Sequence, residues 1–138
     1  MPAADIIHNA VKNALIKDGW TITADPYRIE YEEIDLFADL GAERPIAAER
    51  AGERIVVEVK SFVSRSLIQD LKLALGQYEM YLNFLELTAP DRKLYLAISA
   101  QVHDDFFMLK AINVLVERLR LSLLVVNVPR EEVQKWIN

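Results

Sequence analysis

Ile55-Val56-Val57-Glu58-Val59-Lys60 is the stretch on which the reading of this chain turns. Strand side chains alternate between faces, so Arg54, Val56, Glu58 and Lys60 share one face and Ile55, Val57 and Val59 the other. The second face is core. The first carries an acid and a base side by side at the end of a strand otherwise built for burial. Taken alone, a Glu-x-Lys pair is most often a simple ion pair at a strand end, so its meaning depends on what surrounds it.

Immediately upstream, Ile46 to Ala48 and Arg54 to Val59 form a hairpin pattern turning at Ala51-Gly52. Before it, Ile34 to Leu40 reads as another strand, and its two acids, Asp35 and Asp39, stand four residues apart and therefore on one face. One of them together with Glu58 can hold a divalent ion, with Lys60 beside the water to be activated. Phosphodiester hydrolysis needs such parts: a cation that neutralises developing charge and lowers the pKa of water, and a cationic side chain that orients the nucleophile. The local alternative is that Asp39, or less readily Asp35, caps a turn into Leu40-Gly41. Glu43 and Glu49, in the insertion between the acidic strand and Glu58, read as solvated.

Moving further out, Ile6, Ile7, Ala10, Val11, Ala14 and Leu15 fall at helical spacing over Asp5 to Lys17, ended by Gly19. Trp20 and Ile22, with Tyr27 to Ile29, suggest an extended segment interrupted at Asp25-Pro26. Downstream, Leu67 to Leu87 is a long helical pattern closed by Thr88-Ala89-Pro90. Leu94 to Ile98 and Leu121 to Val128 are apolar runs expected of strands buried on both faces. Phe106 to Leu119 has helical spacing between them, and a polar C-terminus follows. The order predicts an α/β (α+β) fold, in which three antiparallel strands follow one helix and a mixed central sheet is flanked by helices.

The 138 residues suit one domain, spanning 1–138, and are too few for two. A 52% hydrophobic and 27% charged composition excludes both a disordered chain and a membrane protein. No apolar run approaches the roughly 18 residues of a membrane span, and no signal-peptide pattern precedes the first helix. A cytoplasmic protein is expected. The absence of cysteine leaves carboxylates, backbone and two histidines as metal ligands, which favours Mg²⁺ or Mn²⁺. The net charge of −5 argues against broad attraction to nucleic acid.

An acidic residue, a variable hairpin, then Glu-x-Lys on a hydrophobic strand resembles the PD-(D/E)XK nuclease superfamily, with its restriction-endonuclease-like core of helix, three-stranded meander, helix and strand. Glu33-Ile34-Asp35-Leu36 followed by Val57-Glu58-Val59-Lys60 is similar to the subgroup of Holliday-junction resolvases and related small nucleases. Gln77 and Tyr81 resemble the Gln-x-x-x-Tyr motif of nucleases related to the RecB nuclease domain. The resemblance implies catalytic roles for Asp35, Glu58, Lys60, Gln77 and Tyr81, with metal ligands drawn from Asp35, Asp39 and Glu58. Two departures matter: no proline precedes either aspartate, and Gly41 to Arg54 lengthens the interval to Glu58.

A closer likeness runs through Asp5-Ile6-Ile7-His8, Ala14-Leu15-Ile16-Lys17-Asp18-Gly19-Trp20, Asp39-Leu40-Gly41-Ala42-Glu43, Ala47-Ala48-Glu49-Arg50 and Ala74-Leu75-Gly76-Gln77-Tyr78. Across these stretches the chain is similar to the XisH family, described as cyanobacterial fdxN element excision controlling factors. That likeness implies a role in excising a DNA element, with DNA, a recombinase and an XisI-like companion as partners. It leaves two readings open: a Mg²⁺-dependent endodeoxyribonuclease, or a regulatory protein of nuclease fold that acts through DNA or protein contacts. A homodimer would suit action on two strands. Of the two histidines, His8 is expected to hydrogen-bond inside the core in preference to serving as a base, and His103, beside Asp104-Asp105, reads as part of a helix start.

Overall fold

The turn at Ala51-Gly52 sets the geometry of the decisive strand. Both residues have positive φ, 50° and 85°, as a two-residue I′ hairpin loop requires. They join β4 (Ile46–Arg50) to β5 (Glu53–Val59), with Arg50 opposite Glu53 and Ile46 opposite Val57. The structure is a computed structural model that describes residues 3–36 and 45–138, with side chains from Asp5 onward.

Around this hairpin the sheet runs in the order β1-β4-β5-β6-β7-β8, where β1 is Thr21–Ala24, β6 Arg92–Ser99, β7 Leu123–Asn127 and β8 Glu132–Ile137. The β5–β6 and β6–β7 pairs are parallel, and the rest are antiparallel. The mixed sheet flanked by helices is therefore as expected. The parallel strands are also the ones buried on both faces, Leu94 to Ile98 and Leu123 to Val126, because helices cover each side. Helix α1 (Ala3–Lys17) packs Val11, Ala14 and Leu15 with Trp20 against Ile55, Val57, Val59, Ala97 and Leu124. Helix α2 (Leu67–Thr88) packs Tyr78, Tyr81 and Leu85 against Val56, Leu94, Leu96 and Leu123 on the opposite face. Its start is fixed by the Ser66 hydroxyl, which accepts the Gln69 N–H, and Pro90 follows its end.

Three expectations need correction. The strand expected over Ile34 to Leu40, ahead of the hairpin, is described only as far as Leu36, and the described part does not join the central sheet. Its described part, β3 (Ile34–Asp35), pairs with β2 (Glu30–Tyr31) in a separate two-stranded sheet, and the meander is β1, β4 and β5. Ile34 is exposed and Leu36 buried, and Leu36 is an anchor in the α2-side core. In place of the one helix expected over Phe106 to Leu119, the helical segment starts earlier and is broken: α3 (Ala100–Val102) leads into a π-helical turn, His103–Phe107, and α4 covers Lys110–Arg118. The π turn places Phe106 and Phe107 together against Phe62, a packing that a continuous 3.6-residue period does not provide. Finally, the polar C-terminus is a strand, β8, paired to β7. It sits at the sheet edge, where exposed polar side chains are the norm, and Trp136 anchors it against Trp20 and Tyr95.

Candidate functional site

Glu58 lies in β5 opposite Leu96 of β6 and is only 3% exposed. By strand alternation it shares the face of Val56, the face that α2 covers. A carboxylate in that position is unusual, since Asp and Glu are seldom fully buried and need a compensating group when they are. The sheet pairing continues one residue past β5, the Lys60 N–H donating to Ala97 O at 3.1 Å, so half-buried Lys60 follows the alternation onto the same face. On α2, Tyr81 is 2% exposed and packs in the same core cluster as Val56, and Gln77 is half-buried.

Tyr78 is a member of this layer whose polar role the sequence did not flag. Its hydroxyl accepts the Ser122 N–H at 3.3 Å and donates toward Leu94 O at 3.4 Å, tying α2 to the ends of two strands. Burial pushes the phenol pKa up, the Ser122 contacts oppose this, and the charges of Glu58 and Glu79 push it up again. The net shift is upward, which keeps the group a neutral phenol. An apolar-stripe reading of the helix places Tyr78 correctly in the core but gives no sign of where its hydroxyl ends.

The second acid divides between two positions. Asp35 is on the β2–β3 hairpin, where it accepts from the Arg28 guanidinium, Nε at 3.0 Å and Nη2 closer still. This hairpin leans on α2 through stacked Tyr31 and Phe84 rings. Asp39 and Glu43 lie outside the described residues. Among the described residues no group of three or more His, Asp or Glu side chains is placed to hold a metal ion. The donors on offer are carboxylate oxygens, which suit Mg²⁺ or Mn²⁺; Glu58 would supply one ligand and Asp35 or Asp39 a second.

On the α1 face of the same sheet end, His8 is buried in the core and its Nε2 is 2.8 Å from Asp25 Oδ1, while Lys12 Nζ is 2.9 Å from Oδ2. His8 therefore has the hydrogen-bonded core role expected of it. Burial raises the Asp25 pKa, but Lys12 and His8 together outweigh it, and the carboxyl ends below its ordinary value. His103 opens the π turn, its Nδ1 3.3 Å from Asp104 Oδ1, and Glu49 lies in β4 near Arg54 and Arg92. Past the carboxyl ends of β5, β6 and β7, a cavity of about 510 Å³ opens between Ile7, Phe62, Ser99, Val102, Phe106 and Val128. Crevices at that edge of parallel strands are where open α/β sheets place their ligands.

The match to known proteins is as extensive as this shared architecture suggests. The family model described as XisH protein matches residues 1–134. The chain belongs to the XisH family. Two crystal structures of similar proteins share its fold. One is a fdxN element excision controlling factor protein from Anabaena variabilis, 40% identical, covering 97% of this chain and 99% of the other with a TM-score of 0.89. The other is an XisH family protein from Nostoc punctiforme PCC 73102, 39% identical, covering 97% of this chain and 100% of the other with a TM-score of 0.90. No match was found among curated proteins. No helix among the described residues of this XisH family member is long and apolar enough to cross a membrane.

Proposed function

We propose that this protein acts in the excision of a DNA element as a metal-dependent endonuclease of the PD-(D/E)XK type. The observation that carries the reading is Glu58, a carboxylate buried at the end of a core strand with Lys60 two residues on and α2 overhead. The excision context comes from the Anabaena variabilis relative's description as a fdxN element excision controlling factor. Glu58 and one aspartate would hold Mg²⁺ or Mn²⁺, which when bound lowers the pKa of water and screens the phosphate. The hold of Arg28 on Asp35 weighs in favour of Asp39 as the second ligand. Lys60 orients the attacking water, and Gln77 and Tyr81 position the phosphate or the lysine amine. DNA is the substrate on this reading, and a recombinase and an XisI-like companion are its working partners in the cytoplasm.

The test is cleavage of duplex, branched and single-stranded DNA by the purified chain with Mg²⁺ or Mn²⁺, alone and with its companion. Glu58→Gln and Lys60→Ala, both folded by circular dichroism, should each lose about 100-fold or more in rate, the scale of removing one electrostatic stabiliser. A wild-type protein that cuts none of these substrates would falsify the nuclease reading. The net charge of −5 favours a second reading, regulation of a recombinase by a nuclease fold that does not cut. On that reading excision proceeds undiminished with Glu58→Gln.

A further inference from the structure

The outward face of α2 carries Leu73, Met80 and Leu87, which are 57%, 48% and 61% exposed. They recur every seventh residue and so lie along one line of the helix, the spacing of a helix–helix seam. Between Leu73 and Met80 on that line sits Gly76. Glycine inside a helix costs about 1 kcal/mol relative to alanine, yet a Cβ at Gly76 would meet nothing within 4 Å and its φ is not positive. The packing of this chain supplies no reason for glycine there, whereas a second helix crossing closely at that point does.

The charges beside the seam specify which helix. Lys72 and Glu79 flank it on the same side, placed symmetrically about the midpoint between Leu75 and Gly76. Both are exposed, and among the described residues neither makes a salt bridge within the chain. In an antiparallel pair of identical helices related by a two-fold axis at that midpoint, Lys72 of each meets Glu79 of the other. This is the reciprocity that an isologous interface demands.

We infer that the seam is the interface for a second copy of this chain, formed by antiparallel packing of α2 on α2 with the axis beside Gly76. The opposite face of α2 packs on the sheet face that carries Glu58, so each half of the dimer keeps its own candidate site.

The experiment is sedimentation velocity on the full chain from micromolar to near-millimolar concentration. Wild type should show a concentration-dependent dimer. Leu73→Glu and Met80→Glu alter exposed positions, so they should keep the circular dichroism spectrum while raising the dissociation constant about tenfold or more, since each sets a desolvated charge in the seam. Lys72→Glu and Glu79→Lys, each alone, should weaken self-association by juxtaposing like charges. An equimolar mixture of these two variants should recover it, because every cross-pair is then complementary, a result that no folding defect can imitate. A monomer at every concentration, a dimer indifferent to Met80→Glu, or a mixture that fails to recover overturns the assignment. So does a seam that binds only a different protein.

Discussion

Glu58 of β5 stands in register beside Leu96 of the parallel strand β6, an acid set into the row of side chains that forms the α2-side core. A carboxylate held in that environment is sensitive to any cation that reaches it, because charge interactions strengthen as water is excluded.

Metal binding should therefore be visible as stability. On the nuclease reading, Mn²⁺ at about 100 times its dissociation constant raises unfolding free energy by about 2.7 kcal/mol, seen as an upward shift in melting temperature. Glu58→Gln should abolish the shift, and so should Asp39→Asn. A smaller effect of Asp35→Asn is expected, since Arg28 already engages that carboxylate. Equal shifts for wild type and Glu58→Gln would remove Glu58 from the ligand set.

Tyr78→Phe separates packing from hydrogen bonding in the same layer. The ring stays, but the buried Ser122 N–H loses its acceptor, at a cost of about 1–3 kcal/mol. Urea denaturation should show a lower midpoint with an unchanged slope. A change below the error of the measurement would mean that water or a shifted backbone satisfies Ser122.

The His8–Asp25–Lys12 cluster gives the fold a pH-dependent component. The folded Asp25 carboxyl lies below its ordinary value, so it binds its proton less readily than in the unfolded chain. The stability this contributes is present above the unfolded pKa, near pH 4, and is lost as pH falls through the lower folded value. Asp25→Asn should cost about 1–3 kcal/mol at neutral pH and flatten the acid limb of a stability–pH curve. An acid limb identical to wild type would show that other carboxyls control it.

Gly52→Ala tests the hairpin that carries Glu58 toward its place. With φ at +85° and nothing near a new Cβ, the penalty is conformational alone, about 1 kcal/mol. Thermal unfolding should register it without loss of the folded baseline. A gain in stability would contradict the I′ geometry.

Much of the fold was legible because its signals are local. The Ala51-Gly52 turn, the two buried runs at Leu94 and Leu123, and the long α2 pattern each follow from a few neighbouring residues. The candidate site was legible only in part. Strand alternation alone puts Glu58 and Lys60 on one face, but whether Asp35 or Asp39 approaches them depends on the path of the segment that precedes β4, which no periodicity records. The same limit explains β8: Glu132 to Ile137 has too few apolar residues to signal a strand, and it becomes one because β7 offers an open edge and Trp136 finds Trp20 and Tyr95.

By itself, then, the sequence of this protein determined its two long helices, its hairpin and the strands of its core, since side-chain period and turn chemistry act within a dozen residues. The tertiary structure decided where the chain's isolated charges ended. It took Asp35 to Arg28 on an outer hairpin, His8 to Asp25 beneath α1, and Glu58 into the layer under α2, because each of these positions depends on which distant surfaces had to be buried together.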